Sequence, residues 1–473
     1  MEGPMNEKPP TANAEAETSQ CKESSSATFV FIVLFLINFL NYLDRYVLIG
    51  AANGMAGELG FGIDGIGYLA SAFIVLFTLS VVPLGAWADR SKRKNVIAIC
   101  VAFWSLATMF TALAGNFLQL LIARMLLGIG EGGYAPASSA ILADYFSRTK
   151  RAQVLSWWST ATLGGLMVGL IAGGIVAGLG VGAWRWAFIF SGIPGLLIAL
   201  LAWRIREPRR NEADEQAALQ DPTAYSVEGI ADRLVFSGKV LAQIRTLLRI
   251  KSLLVLTAMQ TFAFFVLAAS AVYLPTLLQQ KDTFGLSSAA AGLYTGIGIV
   301  VAGITGILIG GYLADVLSNR HPGARVLICG IGFLISAPCY MITFVIALTT
   351  HNIFLYSCFF FITTLLLNMH AGPSTAATQD IVPSSVRASA MAISIFLAHF
   401  LGDAASPSLV GLLARVIDPT HGQHFLAKLA GYDLSLALVY TCPAALVIAG
   451  LIGILGARWV KGDMAAAQLA EGV

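Results

Sequence analysis

The sequence predicts an all-α membrane protein in which twelve transmembrane helices form two pseudo-symmetric six-helix bundles. Three observations predict this class. Of the 473 residues, 57% are hydrophobic and only 12% are charged, whereas an ordinary soluble domain has roughly 25% charged residues. Twelve apolar runs are each long enough for a helix of about 20 residues, the length that crosses the hydrocarbon core of a bilayer. A polar stretch after the sixth run then divides the chain into two sets of six.

The twelve apolar runs are separated by short polar loops. A helix is the only open chain that pairs its own backbone groups in lipid, so each run is predicted to be helical. The runs lie near residues 27–49, 65–87, 94–114, 117–138, 152–178, 184–205, 252–276, 288–314, 325–348, 353–371, 386–411 and 434–457.

Polar segments set the other predicted boundaries. Residues 1–26 are rich in Pro, Glu, Ser and Thr and are predicted to be a disordered cytoplasmic tail. The first run is too long for a signal-peptide core and has no cleavage site, so it is retained as a membrane helix. The linker contains a predicted amphipathic segment at 230–250. The other segments are a first bundle (27–205), a linker (206–251), a second bundle (252–458) and a cytoplasmic tail (459–473).

The distribution of basic residues predicts the orientation in the membrane. Most of the 29 Lys and Arg residues fall in the termini and in the loops on their side. The loops on the other side contain only Arg185, Lys281, Arg415 and Lys428. Because cytoplasmic loops retain positive charge, both termini are predicted to be cytoplasmic.

A short internal repeat supports the division into halves. The sequence GAWAD at 85–89 ends the second apolar run, and GYLAD at 311–315 ends the eighth. Transporters built from two parallel repeats bind their substrate between the halves. The sequence therefore predicts a central site formed by both bundles.

The turn after the second helix contains a predicted cytoplasmic gate. Gly85, Asp89, Arg90 and Arg93 lie there, and Asp315 is the equivalent carboxylate in the second half. Such a carboxylate can accept hydrogen bonds from a helix end or pair with a basic side chain, which would hold one access state closed. The alternative interpretation is a simple positive stop signal.

Four charged residues lie inside predicted membrane helices, where charges need partners and commonly mark function. Arg124 and Glu131 are separated by seven residues of helix four, which is about 10 Å along its axis. Asp44 and Arg45 lie near the outer end of helix one, at the depth expected for Arg124. An ion pair between Asp44 and Arg124 is therefore predicted, with Glu131 deeper.

These carboxylates provide a route to proton coupling. Burial favours the neutral carboxyl, whereas a neighbouring arginine favours the carboxylate. A change between exposed and occluded states could therefore make Asp44 or Glu131 bind and release a proton. The alternative is that the four charges are a structural network that holds the first bundle together.

Two further helices have distinctive patterns. Helix five has glycines at positions 165, 169, 173 and 174, and this small face favours close helix packing. Helix eleven contains His399 and Asp403, which lie on one face because they are four residues apart. That pair is predicted to be a second proton site or a head-group contact, or else a local hydrogen bond near Pro407.

Other function classes find little support. The six cysteines are isolated, so no disulfide framework, metal site or cofactor is predicted. The sequence contains no GxSxG, HExxH or phosphate-binding P-loop motif, which argues against an enzyme. The basic residues are spread over the loops, so nucleic acid is not a predicted partner.

Several motifs together resemble a known family. Asn41-Tyr42-Leu-Asp44-Arg45, Gly130-Glu131-Gly-Gly-Tyr134 and the stretch from His399 to Pro407 are similar to the Spinster family of the major facilitator superfamily. The loop from Gly85 also resembles the superfamily's signature loop, and the helix-five glycines resemble its antiporter motif. The resemblance covers residues 28–460. The short loops and the lack of glycosylation sequons fit a member from a bacterial inner membrane, and a monomer is expected.

The resemblance implies proton-coupled transport of an amphipathic lipid, such as a lysophospholipid or a sphingosine-phosphate-like molecule. It implies Asp44 and Glu131 as the proton sites. The implied charge partners and substrate contacts are Arg45, Arg124, Asn38, Tyr42 and Tyr134, with His399 and Asp403 in helix eleven. Two alternatives remain: a proton symporter of a small organic anion such as a sugar acid, and a receptor or scaffold that works through its linker.

Overall fold

The structure is a computed structural model that describes residues 12–146, 148–208, 245–281, 283–318, 320–383, 386–417 and 432–471. Most of the predicted linker and of its amphipathic segment, at 209–244, lies outside the described residues, and so do residues 1–11. The side chain of Asp89 lies outside the described part as well.

The first half consists of seven described helices, because the fourth membrane pass is broken. These are α1 (Ala12–Leu59), α2 (Ile63–Arg90), α3 (Arg93–Ala112), α4 (Phe117–Glu131), α5 (Tyr134–Tyr145), α6 (Arg148–Ala177) and α7 (Trp184–Arg204). Helix α1 begins at Ala12, so the prediction of a disordered tail is wrong for residues 12–26. That segment is rich in Ala and Glu, which favour helix, and extending an existing helix needs no new nucleus.

The second half repeats this order with two interruptions. Its described helices are α8 (Lys251–Gln279), α9 (Ser288–Ser318), α10 (Ala324–Thr349), α11 (Ile353–Asn368), α12 (Ala371–Asp380), α13 (Arg387–Ala398), α14 (Ser406–Ile417) and α15 (Tyr432–Glu471). A π-helical turn at His399–Asp403 separates α13 from α14. The tenth pass, α11 and α12, is broken at the place equivalent to the break in the fourth.

Eleven of the described passes are long and apolar enough to cross a bilayer. The fourth predicted run, 117–138, is also present, but α4 has 15 residues and α5 has 12. The break lies at Gly132 and Gly133. A Cβ atom at Gly133 would lie 2.7 Å from Cys100 Sγ, so the break lets this pass approach α3 closely. The twelve-helix class is therefore confirmed, with the fourth, tenth and eleventh passes interrupted.

The outer surface of the bundle is apolar, as a protein in lipid requires. Phe110, Phe190 and Leu308 are 63%, 65% and 67% exposed. The charged side chains of Asp44, Arg124 and Glu131, within the membrane passes, are buried instead.

The glycines of the fifth pass pack against helix α1. A Cβ atom at Gly165 would lie 2.9 Å from Tyr42 Cβ, and one at Gly169 would lie 2.7 Å from the Leu43 carbonyl oxygen. This close approach fixes α1, with its charged residues, against α6. Close helix packing is thus what these glycines do in this structure.

The two halves meet at the end of the bundle opposite the chain termini, which we call the distal end. Asp64 of α2 forms an ion pair with Arg415 of α14 at 2.9 Å. The main-chain N–H of Ser408 in α14 donates to the Ser71 hydroxyl oxygen in α2 at 3.2 Å, and a Cβ atom at Gly411 would lie 2.9 Å from Asp64 Cα. The cleft between the halves is therefore closed at the distal end.

Candidate functional site

The centre of the candidate site is an ion pair between the first and fourth passes. Arg45 Nε lies 2.7 Å from Glu131 Oε2. The Glu131 side chain is fully buried, whereas that of Arg45 is 17% exposed. Asn41, one helical turn before Arg45, lies beside the same carboxylate. Glu131 is the last residue of α4, so the helix break places its carboxylate against α1.

Aromatic rings surround the Arg45 guanidinium. Its central carbon lies 4.8 Å from the centroid of the Tyr42 ring, 5.0 Å from that of Phe73 and 4.3 Å from that of Phe77. Cation–π contacts of this kind stabilise a cation that has lost part of its water. The guanidinium is thus held by rings on one side while part of it remains accessible.

The predicted ion pair between Asp44 and Arg124 is not formed. Arg124 Nη1 instead donates to the main-chain carbonyl oxygen of Asp44 at 3.3 Å, and its guanidinium lies over the Phe188 ring at 5.1 Å. The Asp44 carboxylate accepts from the Thr108 hydroxyl at 3.4 Å. The two residues do lie close together, and their charges interact electrostatically without forming an ion pair.

A second polar link joins the first pass to the fourth and fifth. The Tyr134 hydroxyl donates to Asn38 Oδ1 at 2.5 Å. Asn38 Nδ2 donates to the Trp158 carbonyl oxygen at 2.9 Å and lies 3.2 Å from Thr162 Oγ1. The predicted contact residues Asn38 and Tyr134 therefore lie together, with Asn38 about two turns before Arg45 on α1.

The second half contributes His399 and Asp403, which face each other across the π-helical turn. His399 Nδ1 lies 2.5 Å from Asp403 Oδ2. The imidazole is 38% exposed and stacks on Phe264 with ring centroids 4.4 Å apart. Asp403 also interacts electrostatically with Arg45 across the cleft. The site thus has a charged wall from each half.

His370, at the break of the tenth pass, is buried. It is 4% exposed, and its Nδ1 lies 2.7 Å from the Leu367 carbonyl oxygen. It packs between Phe264 and Phe333.

Arg93 and Arg325 occupy equivalent positions in the two halves, at the end of the bundle that contains the termini. Arg93 pairs with Asp144 at the end of the fourth pass, and Arg325 pairs with Asp380 at the end of the tenth. Arg325 also lies 3.6 Å from the predicted gate residue Asp315.

The remaining predicted gate residues are less constrained. The main-chain N–H groups of Arg93 and Lys94 donate to the Glu207 carboxylate at 2.9 Å each. Arg90 is exposed, and a Cβ atom at Gly85 would meet only Pro136, at 4.0 Å. No neighbouring helix packs closely against Gly85 in this state, so packing does not require a glycine there.

Sequence reasoning missed the acidic partners Asp144 and Asp380. Each lies at the end of a broken pass and pairs with an arginine at the start of the pass before it. The repeat that relates Asp89 to Asp315 also relates Arg93 to Arg325 and Asp144 to Asp380, so extending it along the chain would have found them. Among the described residues, no group of three His, Cys, Asp or Glu side chains could hold a metal ion.

Comparison with known proteins agrees with the fold. Residues 34–407 match the sequence model of the Major Facilitator Superfamily. The chain is 27% identical to protein spinster homolog 1 of Xenopus tropicalis, over 93% of this chain and 82% of that protein. It is 26% identical to the sphingosine-1-phosphate transporter SPNS2 of Danio rerio, over 91% and 84% respectively.

Solved structures show the same architecture. A bacterial homolog of the human lysosomal transporter Spinster, in an inward-facing and unoccupied conformation, has a TM-score of 0.74 at 22% identity and covers 93% of this chain and 97% of that one. A D-xylose–proton symporter has a TM-score of 0.64 at 17% identity, covering 89% and 97%. With twelve membrane passes in two equivalent halves and a match across most of its length, the chain belongs to the Major Facilitator Superfamily and is a transporter, not an enzyme.

Proposed function

We propose that this chain is a proton-coupled secondary active transporter of an amphipathic lipid, a lysophospholipid or a sphingosine-phosphate-like molecule, that works by alternating access. The observation that carries the proposal is the pair of Arg45 with the fully buried Glu131. Arg45 can bind an anionic head group and Glu131 can bind a proton. Either event changes the electrostatic interaction between the two side chains.

The coupling follows from the geometry of this pair. Glu131 has no access to solvent, so its charge is stabilised chiefly by Arg45. A phosphate that binds the accessible part of Arg45 weakens that stabilisation, and Glu131 then favours the neutral form. Head-group binding should therefore promote proton uptake by Glu131. Asp44, fully buried beside Arg124, is the second proton site in this proposal.

The surroundings of Arg45 favour an amphipathic substrate. The rings of Tyr42, Phe73 and Phe77 lie next to the guanidinium, so a ligand can place its charge on the cation and its chain along apolar surface. We assign His399 and Asp403 to the head-group contacts of the opposite wall, and Asn38 and Tyr134 to the deeper contacts. Similarity to a sphingosine-1-phosphate transporter supports this substrate class.

The proposed orientation places both termini in the cytoplasm, as the basic loops indicate. The distal end then faces outward, and its closure makes this the inward-facing state. The two terminal-end ion pairs, Arg93 with Asp144 and Arg325 with Asp380, would brace the cytoplasmic gate that contains Gly85, Asp89, Arg90 and Asp315. We propose further that the protein is monomeric and resides in a bacterial inner membrane.

One observation favours a second candidate, a proton symporter of a small organic anion such as a sugar acid. Arg124 is 2% exposed, and within the described structure its Nε and Nη2 atoms have no hydrogen-bond partner. Two adjacent guanidinium donors are suited to binding a carboxylate bidentately.

Transport by reconstituted protein tests the proposal. Proteoliposomes with an imposed pH gradient would be assayed for movement of a fluorescent lysophospholipid between leaflets, and separately for uptake of a radiolabelled sugar acid. We expect gradient-dependent lipid movement that Arg45→Gln abolishes. Lipid movement that is absent, with sugar-acid uptake present, would overturn the lipid assignment in favour of the second candidate.

A further inference from the structure

Three exposed basic side chains lie outside the proposed transport site, at the end of the bundle that contains the termini. Lys251 is the first residue of α8 and directly precedes the apolar run at 252–276. Arg458 directly follows the run at 434–457 on α15, and Lys461 is three residues further along that helix. Helices α8 and α15 are in close contact here, because a Cβ atom at Gly456 would overlap the Val255 side chain. The three cations therefore lie together at the polar edge of the seventh and twelfth passes.

One indole ring holds two of these cations. The Lys251 Nζ atom lies 5.9 Å from the centroid of the Trp459 ring, and the central guanidinium carbon of Arg458 lies 4.6 Å from it. An aromatic face attracts a cation within about 6 Å of its centroid. The ring thus holds near each other two side chains whose like charges repel.

No carboxylate neutralises this cluster. Asp463, on the same stretch of α15, accepts from the main-chain N–H of Ser252 at 2.8 Å and so caps the start of α8. Within the described structure, Lys251, Arg458 and Lys461 form no ion pair. Two arginines at the same end of other passes do pair with carboxylates. The cluster therefore has an excess positive charge that an anion can neutralise.

The surface next to the cluster is apolar, which distinguishes a lipid from a soluble anion. Leu254, three residues after Lys251, is 44% exposed, and Leu455, three residues before Arg458, is 59% exposed. Residues three apart share a helix face and are separated by about 4.5 Å along the axis. Each leucine thus lies one turn deeper in the bilayer than its cation, with Trp459 at the interface, where tryptophan is enriched.

We infer that this cluster binds one anionic phospholipid, of the phosphatidylglycerol type, from the leaflet at the end that contains the termini. Its phosphate lies between Lys251 and Arg458, and its acyl chains lie along Leu254 and Leu455. Basic sites between membrane helices bind the head groups of anionic lipids in this way. Trp459 is the positioning residue that holds both cations. The site does not depend on the proposed transport activity.

Lipid titration followed by native mass spectrometry tests the site. Wild-type protein in detergent would be titrated with phosphatidylglycerol and, separately, with phosphatidylcholine that has the same acyl chains. We expect tighter binding of phosphatidylglycerol. Lys251→Gln and Arg458→Gln should each weaken that binding about fivefold, the effect of one basic residue near anionic lipid, and leave phosphatidylcholine binding unchanged. Arg458→Lys should keep the preference.

The matched controls change the same residue types elsewhere at this end of the bundle. Arg320 is exposed between α9 and α10, and Arg320→Gln should leave phosphatidylglycerol binding unchanged. Trp459→Leu keeps every charge but should weaken it roughly two- to fivefold, whereas Trp203→Leu, at a position that is 60% exposed near the end of α7, should not.

Three results would overturn the inference. Equal binding of the two lipids by the wild type would show that the cluster does not select an anion. Equal losses in Arg320→Gln and Arg458→Gln would show a diffuse attraction instead of a site. Displacement of phosphatidylglycerol by an equal concentration of glycerophosphoglycerol, its soluble head group, would show a phosphate site that needs no acyl chains.

Discussion

Removal of the Glu131 charge should destabilise the protein unless Arg45 is neutralised as well. Breaking a buried ion pair by removing one partner costs about 3–5 kcal/mol. Glu131 is fully buried, but Arg45 is 17% exposed and stacks on three rings, so the lower end of that range applies. We expect Glu131→Gln to lower the free energy of unfolding by about 3 kcal/mol.

The double variant makes the prediction specific to the pair. Because Arg45→Gln with Glu131→Gln leaves no isolated charge, it should unfold within about 1 kcal/mol of the wild type. Equilibrium unfolding by SDS titration in bicelles measures all four proteins of the cycle. Glu58→Gln is the control, because Glu58 pairs with Arg185 near the surface with both side chains 25–29% exposed, and should cost under about 1 kcal/mol. If the effects of the two single changes simply add, Arg45 and Glu131 do not stabilise each other.

Three further outcomes follow from the packing and the ion pairs. Asp64→Asn removes the charged partner of Arg415 and should shift the equilibrium towards a state with an open distal end by about 1 kcal/mol. Distances between spin labels at the distal end should then increase, and unchanged distances would contradict this prediction. Gly165→Ala should lower the unfolding free energy by about 1–3 kcal/mol through overpacking against α1, whereas Gly311→Ala, with open space around it, should be tolerated in the same assay. Arg325→Gln leaves two carboxylates facing each other without their cation and should cost about 1 kcal/mol; wild-type unfolding would refute the bracing role.

The fold could be predicted from the sequence because membrane helices leave a strong local signal. Apolar runs, basic loops and the repeated GAWAD and GYLAD segments gave twelve passes in two halves. The break in the fourth pass was not predicted, since residues 117–138 form one mostly apolar run despite Arg124 and Glu131. Gly132 and Gly133 interrupt the helix where it packs against α2 and α3, and that packing is a property of the assembled bundle.

In the candidate site, contacts within one helix could be predicted from the sequence, but contacts between helices could not. His399 and Asp403 were expected to meet because residues four apart share one face of a helix, a local relation. Asp44 and Arg124 were expected to pair because they lie at the same depth. Successive residues of a helix point about 100° apart, and depth alone does not determine whether Asp44 or Arg45 faces helix four. The structure turns Arg45 towards that helix, so it pairs with Glu131.

The most direct test of proton coupling is the proton exchange that accompanies lipid binding. Purified protein in weakly buffered detergent solution would be titrated with lysophospholipid while a pH indicator records uptake or release, with Asp44→Asn and Glu131→Gln alongside. We predict proton uptake on binding by the wild type, and its loss in Glu131→Gln with binding retained. Normal lipid binding without any proton exchange would contradict the account, because the carboxylates would then be structural and the transporter would move its substrate without protons.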